Sequence, residues 1–466
     1  MSALQQLWEA AGMPAQALEA VSLSGAEPVL PSSFKVGTAA QAAIAAAALA
    51  AAELGRVRNG VRQQVSVEMR HSALECCTHF SIDGRVPDAW DKLSGLYACG
   101  DGGWVRIHAN FAHHRDGALR LLGLAPGSAT ERGDVANALR GWKALDFEQA
   151  AADAGLVVAA LRTFDEWDRH PQAHALSQRP LLNIEKIGDA PPRSLPPLPH
   201  GARPLQGMRV LDLTRILAGP VGTRALAAYG ADVMLVNSPH LPNIEAIADT
   251  SRGKLSAHAD LRSADDRAAF EQVLREAHVF VQGYRPGGLA ALGYGPDEVA
   301  ALRPGIVMVS LSAYGSSGPW APRRGFDSLV QTATGFNDAE AAAFGSGPPR
   351  ALPMQILDHA TGYLIALGAQ AALLRQIGEG GSWHVQVSLA RTGLWLHTLG
   401  RVPSGFDAPP PEFSGLLEAS ESGFGQLHAL RHAARFSITP ATWVRPSVPP
   451  GTHRLRWPVI SPSGRV

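Results

Sequence analysis

Short apolar segments alternate with longer amphipathic segments between residues 208 and 402. The apolar segments are rich in Val, Leu and Met, which is typical of strands buried on both faces of a sheet. Strands are expected at 208–213, 232–236, 278–282, 305–311 and 383–389. Helices are expected between most of them, including 220–229, 264–276 and 357–377. This alternation predicts an α/β fold, a Rossmann-like parallel sheet with helices on both faces.

Pro-rich and Gly-rich runs divide the chain into parts. The run "GDAPPRSLPPLPHGARPLQG" is expected to be a linker, and a second Pro-rich region begins after Arg401. The predicted organisation is an N-terminal part, a linker, a large domain and a Pro-rich C-terminal tail, at 1–187, 188–207, 208–402 and 403–466.

The turn after the first expected strand limits the choice of ligand. It reads "LTRILAGPVGT" and lacks the GxGxxG pattern that receives the pyrophosphate of a dinucleotide. The sequence also lacks a Walker A phosphate loop. A Rossmann-like layout without either motif points away from NAD and ATP.

The overall composition narrows the functional class further. The chain has 41 basic and 41 acidic residues among 466, so no general basic field favours nucleic acid. Its three cysteines, without a CxxC pair, suit a reducing compartment. The Ala-rich run 39–54 is shorter than the roughly 20 residues of a membrane span, and we expect a buried helix there. The N-terminal residues have no basic start and apolar core, so we expect a cytoplasmic protein without membrane contact.

One segment occurs twice. Residues 36–69 match residues 357–389 at a constant offset, and each copy reads as a helix, a Gly-containing turn and an alternating strand. The polar residue at the start of the helix differs, because Thr38 stands where the second copy has Asp358. Both residue types cap helices, so the exchange leaves open whether Asp358 is a cap or a reactive group.

Several motifs together resemble the family III CoA-transferases, the CaiB/BaiF group. They include "GMRVLDLTRILAGP", "SRGKLSAHADL", "VSLSAYGSSGPW" and "LDHATGYLIALGAQAALL", in the order that the family has them. The matching segments are 207–220, 229–236, 251–261, 279–299, 309–320, 325–335 and 357–390.

The N-terminal part resembles the later portion of the same family. Residues 96–124 resemble its smaller α+β domain, and residues 164–176 resemble the return to the large domain. The chain is therefore expected to be a truncated tandem, the end of one copy followed by the start of another. The resemblance also implies a homodimer. The polar segment "HANFAHH" (108–114) is expected to be a strand end and a helix start.

The resemblance implies a CoA-transferase, which moves CoA from an acyl-CoA to a carboxylic acid through a covalent aspartyl intermediate. Matched by position, the nucleophile is Asp358. A helix N-terminus favours an ionised carboxylate there, and its free N–H groups could hold an oxyanion. Gly362 is expected to leave room for the thioester.

The remaining site residues are also implied by the resemblance. CoA contacts are expected from Ile216, Arg252, Lys254, Tyr284, Arg285, Arg324 and Asp327. CoA and acyl-CoA act as substrates, so neither a permanently bound cofactor nor a metal is expected. Some family positions differ here, because Asn237, Ser238 and Ala291 stand where relatives commonly carry basic residues.

Two alternative functions stay open. Some relatives are acyl-CoA racemases that use a His where this chain has Phe326, and Phe cannot exchange protons. A CoA-binding partner protein without catalysis is the other alternative. Trapping of an Asp358-linked intermediate would separate this alternative from the enzyme.

Overall fold

Sixteen α-helices and sixteen strands form the described part of the chain, residues 1–199 and 201–458 of a computed structural model. The helices are α1 (Ala3–Ala10), α2 (Val36–Asn59), α3 (Met69–Glu75), α4 (Ala112–Leu121), α5 (Arg132–Leu139), α6 (Ala144–Asp153), α7 (Phe164–Asp168), α8 (Pro171–Ser177), α9 (Ala218–Ala228), α10 (Ile247–Thr250), α11 (Ala264–Arg275), α12 (Pro296–Leu302), α13 (Asp327–Ala333), α14 (Phe336–Ala343), α15 (Ile356–Glu379) and α16 (Leu389–Thr398). The strands are β1 (Val21–Ser24), β2 (Val65–Glu68), β3 (Phe80–Ile82), β4 (Gly95–Ala98), β5 (Trp104–Ile107), β6 (Val158–Ala160), β7 (Asn183–Gly188), β8 (Arg209–Leu213), β9 (Asp232–Asn237), β10 (Lys254–His258), β11 (Val279–Gln282), β12 (Val307–Ser312), β13 (Ser382–Ser388), β14 (Leu417–Ser422), β15 (Gly425–Leu430) and β16 (Ala434–Phe436).

The main sheet has seven strands in the order β10-β9-β8-β11-β12-β13-β7. The first six are parallel, and β7 joins the edge antiparallel to β13. Counted from β8, the parallel strands have the order 3-2-1-4-5-6 of a doubly wound sheet, whose strand order reverses between β8 and β11. Ligands of such sheets bind at the carboxyl ends of the strands beside this reversal. The predicted α/β fold is confirmed.

All five predicted strands are present within two residues of their expected bounds, and two further strands complete the sheet. The sequence pattern missed β10, because it begins with the charged Lys254 and contains two more polar residues. It also missed β7, which precedes the expected linker yet pairs with the last strand of the large domain. The N-terminal part therefore contributes an edge strand to the main sheet.

Three smaller sheets surround the main one. Strands β4, β5 and β6 form an antiparallel sheet that packs with α4, α5 and α6 around Phe147. The expected Pro-rich tail contains a hairpin, since β14 pairs with β15 and β15 pairs with β3. Strand β16 pairs with β2, which also pairs with β1. The region after residue 402 is thus more regular than its proline content predicted.

The internal repeat is visible as repeated structure. Helices α2 and α15 both have 24 residues. Their first residues, Val36 and Ile356, are as far apart in the sequence as their last residues, Asn59 and Glu379. Strand β1 has the sequence VSLS, identical to the end of β12, and each of these strands pairs in parallel with the strand that follows its repeated helix. The repeat therefore extends to a strand that the sequence comparison did not include.

Helix α2 lies in the interior, as its alanine content predicted. By length and hydropathy it is the one helix among the described residues that could cross a membrane. However, 94% of its most apolar stretch of 18 residues is buried within the protein. It packs on α15, where Gln370 Nε2 donates a hydrogen bond to the carbonyl oxygen of Ala47 at 3.0 Å. The small alanine side chains allow this close approach of two backbones.

Candidate active site

Asp358 lies in the first turn of α15 and lines a cleft of about 290 Å³. The cleft is at the carboxyl ends of β8, β11 and β12, beside the reversal of strand order, where a doubly wound sheet binds its ligand. Its walls include the turns after β8 and β11 and the first residue of α16. Asp358 is 8% exposed, so the carboxyl group is mostly shielded from water.

A second carboxylate, Asp327, holds the start of the same helix. The backbone N–H of Asp358 donates to Asp327 Oδ2 at 2.9 Å, and that of Leu357 also donates to this carboxylate. The side chain of Gln331 donates to the other oxygen, Oδ1. Asp327 is fully buried and does not line the cleft. Asp327, predicted to contact CoA, therefore lies behind the wall that carries Asp358 and not at the surface of the cleft.

Burial changes the protonation of both carboxyl groups. Desolvation raises the pKa of Asp358 well above its usual value, and the nearby Asp327 raises it further. Desolvation also raises the pKa of Asp327, to about 7, against the hydrogen bonds that lower it. The expected bias of the helix N-terminus toward an ionised Asp358 is therefore outweighed. Two N–H groups of the first turn are also occupied by Asp327, so they are not free to hold an oxyanion.

Four of the predicted CoA-binding residues do line this cleft: Ile216, Tyr284, Arg285 and Arg324. Ile216 has a φ of 74°, a left-handed conformation that is strained for a β-branched residue. Arg285 and Arg324 are exposed and have no carboxylate partner among residues 1–199 and 201–458. Their charges are thus available to an anionic ligand.

Two further arginines of the cleft were missed by the sequence argument. Arg215 is the second residue after β8, and Arg323 precedes Arg324. The Nε atom of Arg215 is buried and has no hydrogen-bond partner in the part of the chain that the structure describes. An Arg in the turn after a buried strand of a Rossmann-like sheet was the available signal. Together with Arg285 and Arg324, these side chains suit a ligand with several negative charges.

Lys254 and Arg252, also predicted to contact CoA, lie outside the cleft. Lys254 is 1% exposed, and its Nζ is 3.0 Å from Asp212 Oδ2 and 2.7 Å from Thr223 Oγ1. Arg252 is paired with Asp249 and stacks on Trp443, 3.9 Å from the ring centroid. The structure places neither cation at the cleft, because each already has a buried carboxylate partner: Asp212, distant in the sequence, for Lys254, and Asp249, three residues earlier, for Arg252.

Gly362 has a different role from the one expected. A Cβ at this position would meet the carbonyl oxygen of Ala218 at 2.6 Å. The glycine therefore permits close packing of α15 on α9 rather than access for a thioester.

The smaller domain forms one wall of the cleft. Phe111, His113 and His114 line it, and His108 stacks on Phe326 with the ring centroids 4.0 Å apart. The polar segment that contains these histidines is a strand end and a helix start, as expected, but its contact with the large domain brings it to Asp358. Sequence patterns do not reveal this contact, since the wall and Asp358 are more than two hundred residues apart.

Known proteins resemble the chain over this same region. The family model described as CoA-transferase family III matches residues 205–400, which contain Asp358 and the turns of the cleft. Residues 205–400 are thus similar to the family III CoA-transferases. The part of the chain outside this matched region supplies the smaller-domain wall and the edge strand β7.

Individual proteins that resemble the chain over this region are named as CoA-transferases. An acyl-CoA transferase of Gibberella moniliformis is 30% identical over 367 residues, 70% of this chain and 64% of that protein. The "Probable fatty acyl-CoA transferase Rv3272" of Mycobacterium tuberculosis is 32% identical, over 46% of this chain and 59% of that protein. The match to a crystal structure of Rv3272 covers 42% of this chain and 59% of the Rv3272 chain, with 31% identity and a TM-score of 0.37. The chain thus spans less than two thirds of the length of these relatives.

The buried position of Lys254 leads to a prediction about stability. Lys254→Ala leaves the buried Asp212 without its cation, so the free energy of unfolding should fall by about 3–5 kcal/mol in urea denaturation. Arg324→Ala, at an exposed cation of the cleft, should change it by less than about 0.5 kcal/mol. Equal stability of the two variants would show that Lys254 is not a structural cation.

The coupled carboxyl groups lead to a prediction about pH. Their pKa values are raised in the folded state, so the folded protein binds more protons than the unfolded chain between about pH 4 and pH 7, and stability falls as pH rises through this window. Asp327→Asn should reduce this fall by about 1 kcal/mol or more between pH 5 and pH 8, measured by urea denaturation. Asp407→Asn, at an exposed carboxyl, should keep the wild-type dependence. An unchanged dependence in Asp327→Asn would contradict the coupling.

Proposed function

We propose that this protein transfers CoA between an acyl-CoA thioester and a carboxylic acid through a covalent intermediate on Asp358. The observation that carries the proposal is the position of Asp358, in the first helical turn at the cleft of the sheet, opposite a group of arginines. The CoA-transferase names of the relatives support the same reaction class. The assay below identifies the donor and the acceptor acid.

The first half of the reaction makes an enzyme-bound thioester. The Asp358 carboxylate attacks the carbonyl carbon of the acyl-CoA, the C–S bond breaks, and a mixed anhydride and the CoA thiolate result. The thiolate then attacks the carbonyl carbon of the Asp358 side chain, and the donor acid leaves as its carboxylate. CoA is now held as an aspartyl thioester.

The second half repeats these steps in reverse with the acceptor. The acceptor carboxylate attacks the aspartyl thioester, which gives a second mixed anhydride and the thiolate. Attack of the thiolate on the acceptor's carbonyl carbon forms the new acyl-CoA and restores the Asp358 carboxylate. Protons and electrons balance without ATP, since one thioester and one carboxylate are present at each end.

Asp327 affects both the position and the protonation of Asp358. Its hydrogen bonds from Leu357 and Asp358 fix the first turn of α15, and thereby the direction of the nucleophile. Two buried carboxyl groups at close range do not both ionise easily. The hydrogen bonds that Asp327 accepts favour its ionised form, so the shared proton rests on Asp358, which releases it to solvent before it attacks the thioester. Asp327 acts as a positioning residue, because it does not reach the cleft.

The arginines account for the binding of CoA. Its diphosphate and 3′-phosphate carry several negative charges, and guanidinium groups bind phosphate oxygens in pairs. Arg215, Arg285 and Arg324 are the cations that we assign to these phosphates. Tyr284 lies in the same turn as Arg285 and offers a ring to the pantetheine or adenine.

The assay uses a panel of donors and acceptors taken from the relatives. These include a succinate–glutarate CoA-transferase and an acetyl-CoA:oxalate CoA-transferase. Acetyl-CoA and succinyl-CoA are incubated with oxalate, glutarate and a medium-chain fatty acid, and the CoA species are measured by mass spectrometry. Asp358→Ala should lower the transfer rate by about three orders of magnitude or more, with an unchanged fold.

Hydroxylamine gives a second measurement of the same prediction. It should trap a hydroxamate on Asp358 in the wild-type protein incubated with acyl-CoA, and peptide mass spectrometry locates the adduct. Transfer near the wild-type rate in Asp358→Ala would contradict the proposed nucleophile. An absence of both transfer and adduct across the panel would favour a CoA-binding protein without catalysis.

Thr38 gives a matched prediction for the first copy of the repeat. Its N–H and Oγ1 donate to Glu27 Oε1 at 2.7 and 3.1 Å, so the residue has a structural partner. Thr38→Ala should lower the free energy of unfolding by about 1 kcal/mol and leave kcat within twofold of the wild type. A loss of activity comparable with that of Asp358→Ala would show that both copies take part in catalysis.

A further inference from the structure

His114 is a buried side chain whose polar atoms have no partner. It is 5% exposed, and neither ring nitrogen makes a hydrogen bond within residues 1–199 and 201–458. Its ring meets Phe326 edge to face, at 6.2 Å between centroids, and lines the cleft with Asp358. An unpaired polar group in the interior costs about 1–3 kcal/mol, so packing alone does not explain a histidine here.

The reaction on Asp358 needs a hydrogen-bond donor that the helix does not provide. As the carboxylate attacks the thioester, negative charge develops on the carbonyl oxygen, and enzymes stabilise such charge with fixed N–H or O–H groups. The N–H groups of Leu357 and Asp358 donate to Asp327, and that of His359 donates to the carbonyl oxygen of Gln355. A donor from another wall of the cleft is therefore required.

The surroundings keep the imidazole of His114 neutral. Burial lowers its pKa to about 4, with further lowering from His113, Arg324 and Arg215. At neutral pH the ring therefore carries one N–H, which it can donate, and one free nitrogen. A neutral imidazole with a lowered pKa is a known means of polarising a substrate carbonyl.

We propose that His114 is a second catalytic residue, whose ring N–H donates a hydrogen bond to the thioester carbonyl oxygen during attack by Asp358. The proposal rests on the proposed function. The proton stays on His114 throughout, because the hydrogen bond strengthens as the oxygen gains charge and weakens when the C–S bond breaks. The acyl-CoA carbonyl thus lies between a nucleophile from α15 and a donor from the smaller domain.

The first experiment separates this role from packing. His114→Leu should lower kcat by about 10²–10³-fold and change KM little, because the donor acts in the transition state. The same variant should have an unchanged or higher melting temperature, since it removes an unpaired polar group. His114→Gln keeps an N–H donor and should recover at least about tenfold in kcat over His114→Leu. His174→Leu, at an exposed histidine of α8, is the matched control and should retain wild-type kinetics.

A second experiment does not depend on turnover. Acetyl-CoA labelled with ¹³C at the thioester carbonyl is bound to Asp358→Asn, and its carbonyl stretch is measured by infrared difference spectroscopy. The stretch should shift to lower wavenumber on binding, and the double variant Asp358→Asn/His114→Leu should lose this shift. Equal stretches in the two proteins would overturn the hydrogen bond from His114.

The outcomes distinguish the two proposals. If wild-type protein transfers CoA and His114→Leu stays within about threefold of its kcat, the role of His114 is wrong while the proposed function stands. If no pair in the panel shows transfer, the proposed function fails, and the infrared shift still tests the contact with His114. Deuterium uptake at the α-carbon of the acyl group that requires His114 would show a base instead of a hydrogen-bond donor, and would overturn the proposal.

Discussion

The hydrogen bonds from the backbone of Leu357 and Asp358 to the carboxylate of Asp327 join the start of α13 to the start of α15. Because Asp358 itself is one of the donors, the nucleophile has little freedom to move relative to the cleft. The same contact places two carboxyl groups side by side away from water, which raises the pKa of both. One interaction thus sets the geometry and the protonation of the proposed nucleophile, and it also removes the helix N–H groups from any role as oxyanion donors.

The first copy of the repeat retains this interaction without the site. Glu27 accepts a hydrogen bond from the N–H of Thr38, as Asp327 does from that of Asp358. In the first copy the carboxylate comes from a short loop after β1, and a Cβ on Gly37 would meet the Val29 side chain at 2.3 Å. The loop therefore lies directly on the start of α2, where a substrate would have to bind. A carboxylate cap at the helix start serves the fold in both copies, and only the second copy leaves space beside it.

The sequence predicted the large domain well, because its strands and helices follow hydrophobic periodicity, a local property. It also located Asp358, whose signal is a set of motifs in the family's order. Lys254, Arg252 and Asp327 lie away from the cleft for a shared reason, since each is a charged residue whose burial the sequence does not reveal. His114 and Arg215 were missed for the opposite reason. Nothing local marks His114, and only its place in the turn after β8 marks Arg215; the two come together when the smaller domain packs on that turn.

Lys254 still affects the cleft, through Asp212. This carboxylate, on the penultimate residue of β8, accepts hydrogen bonds from the N–H of Thr214 at 2.9 Å, from Thr223 Oγ1 and from Lys254 Nζ. Together these bonds fix the turn in which Ile216 adopts its strained left-handed conformation. Such a conformation persists only when the surrounding contacts hold it in place. Ile216 and the adjacent Arg215 then line the cleft. Lys254, which the sequence comparison assigned to CoA, therefore supports the wall of the cleft from behind, and its loss would release the turn as well as leave a buried charge unpaired.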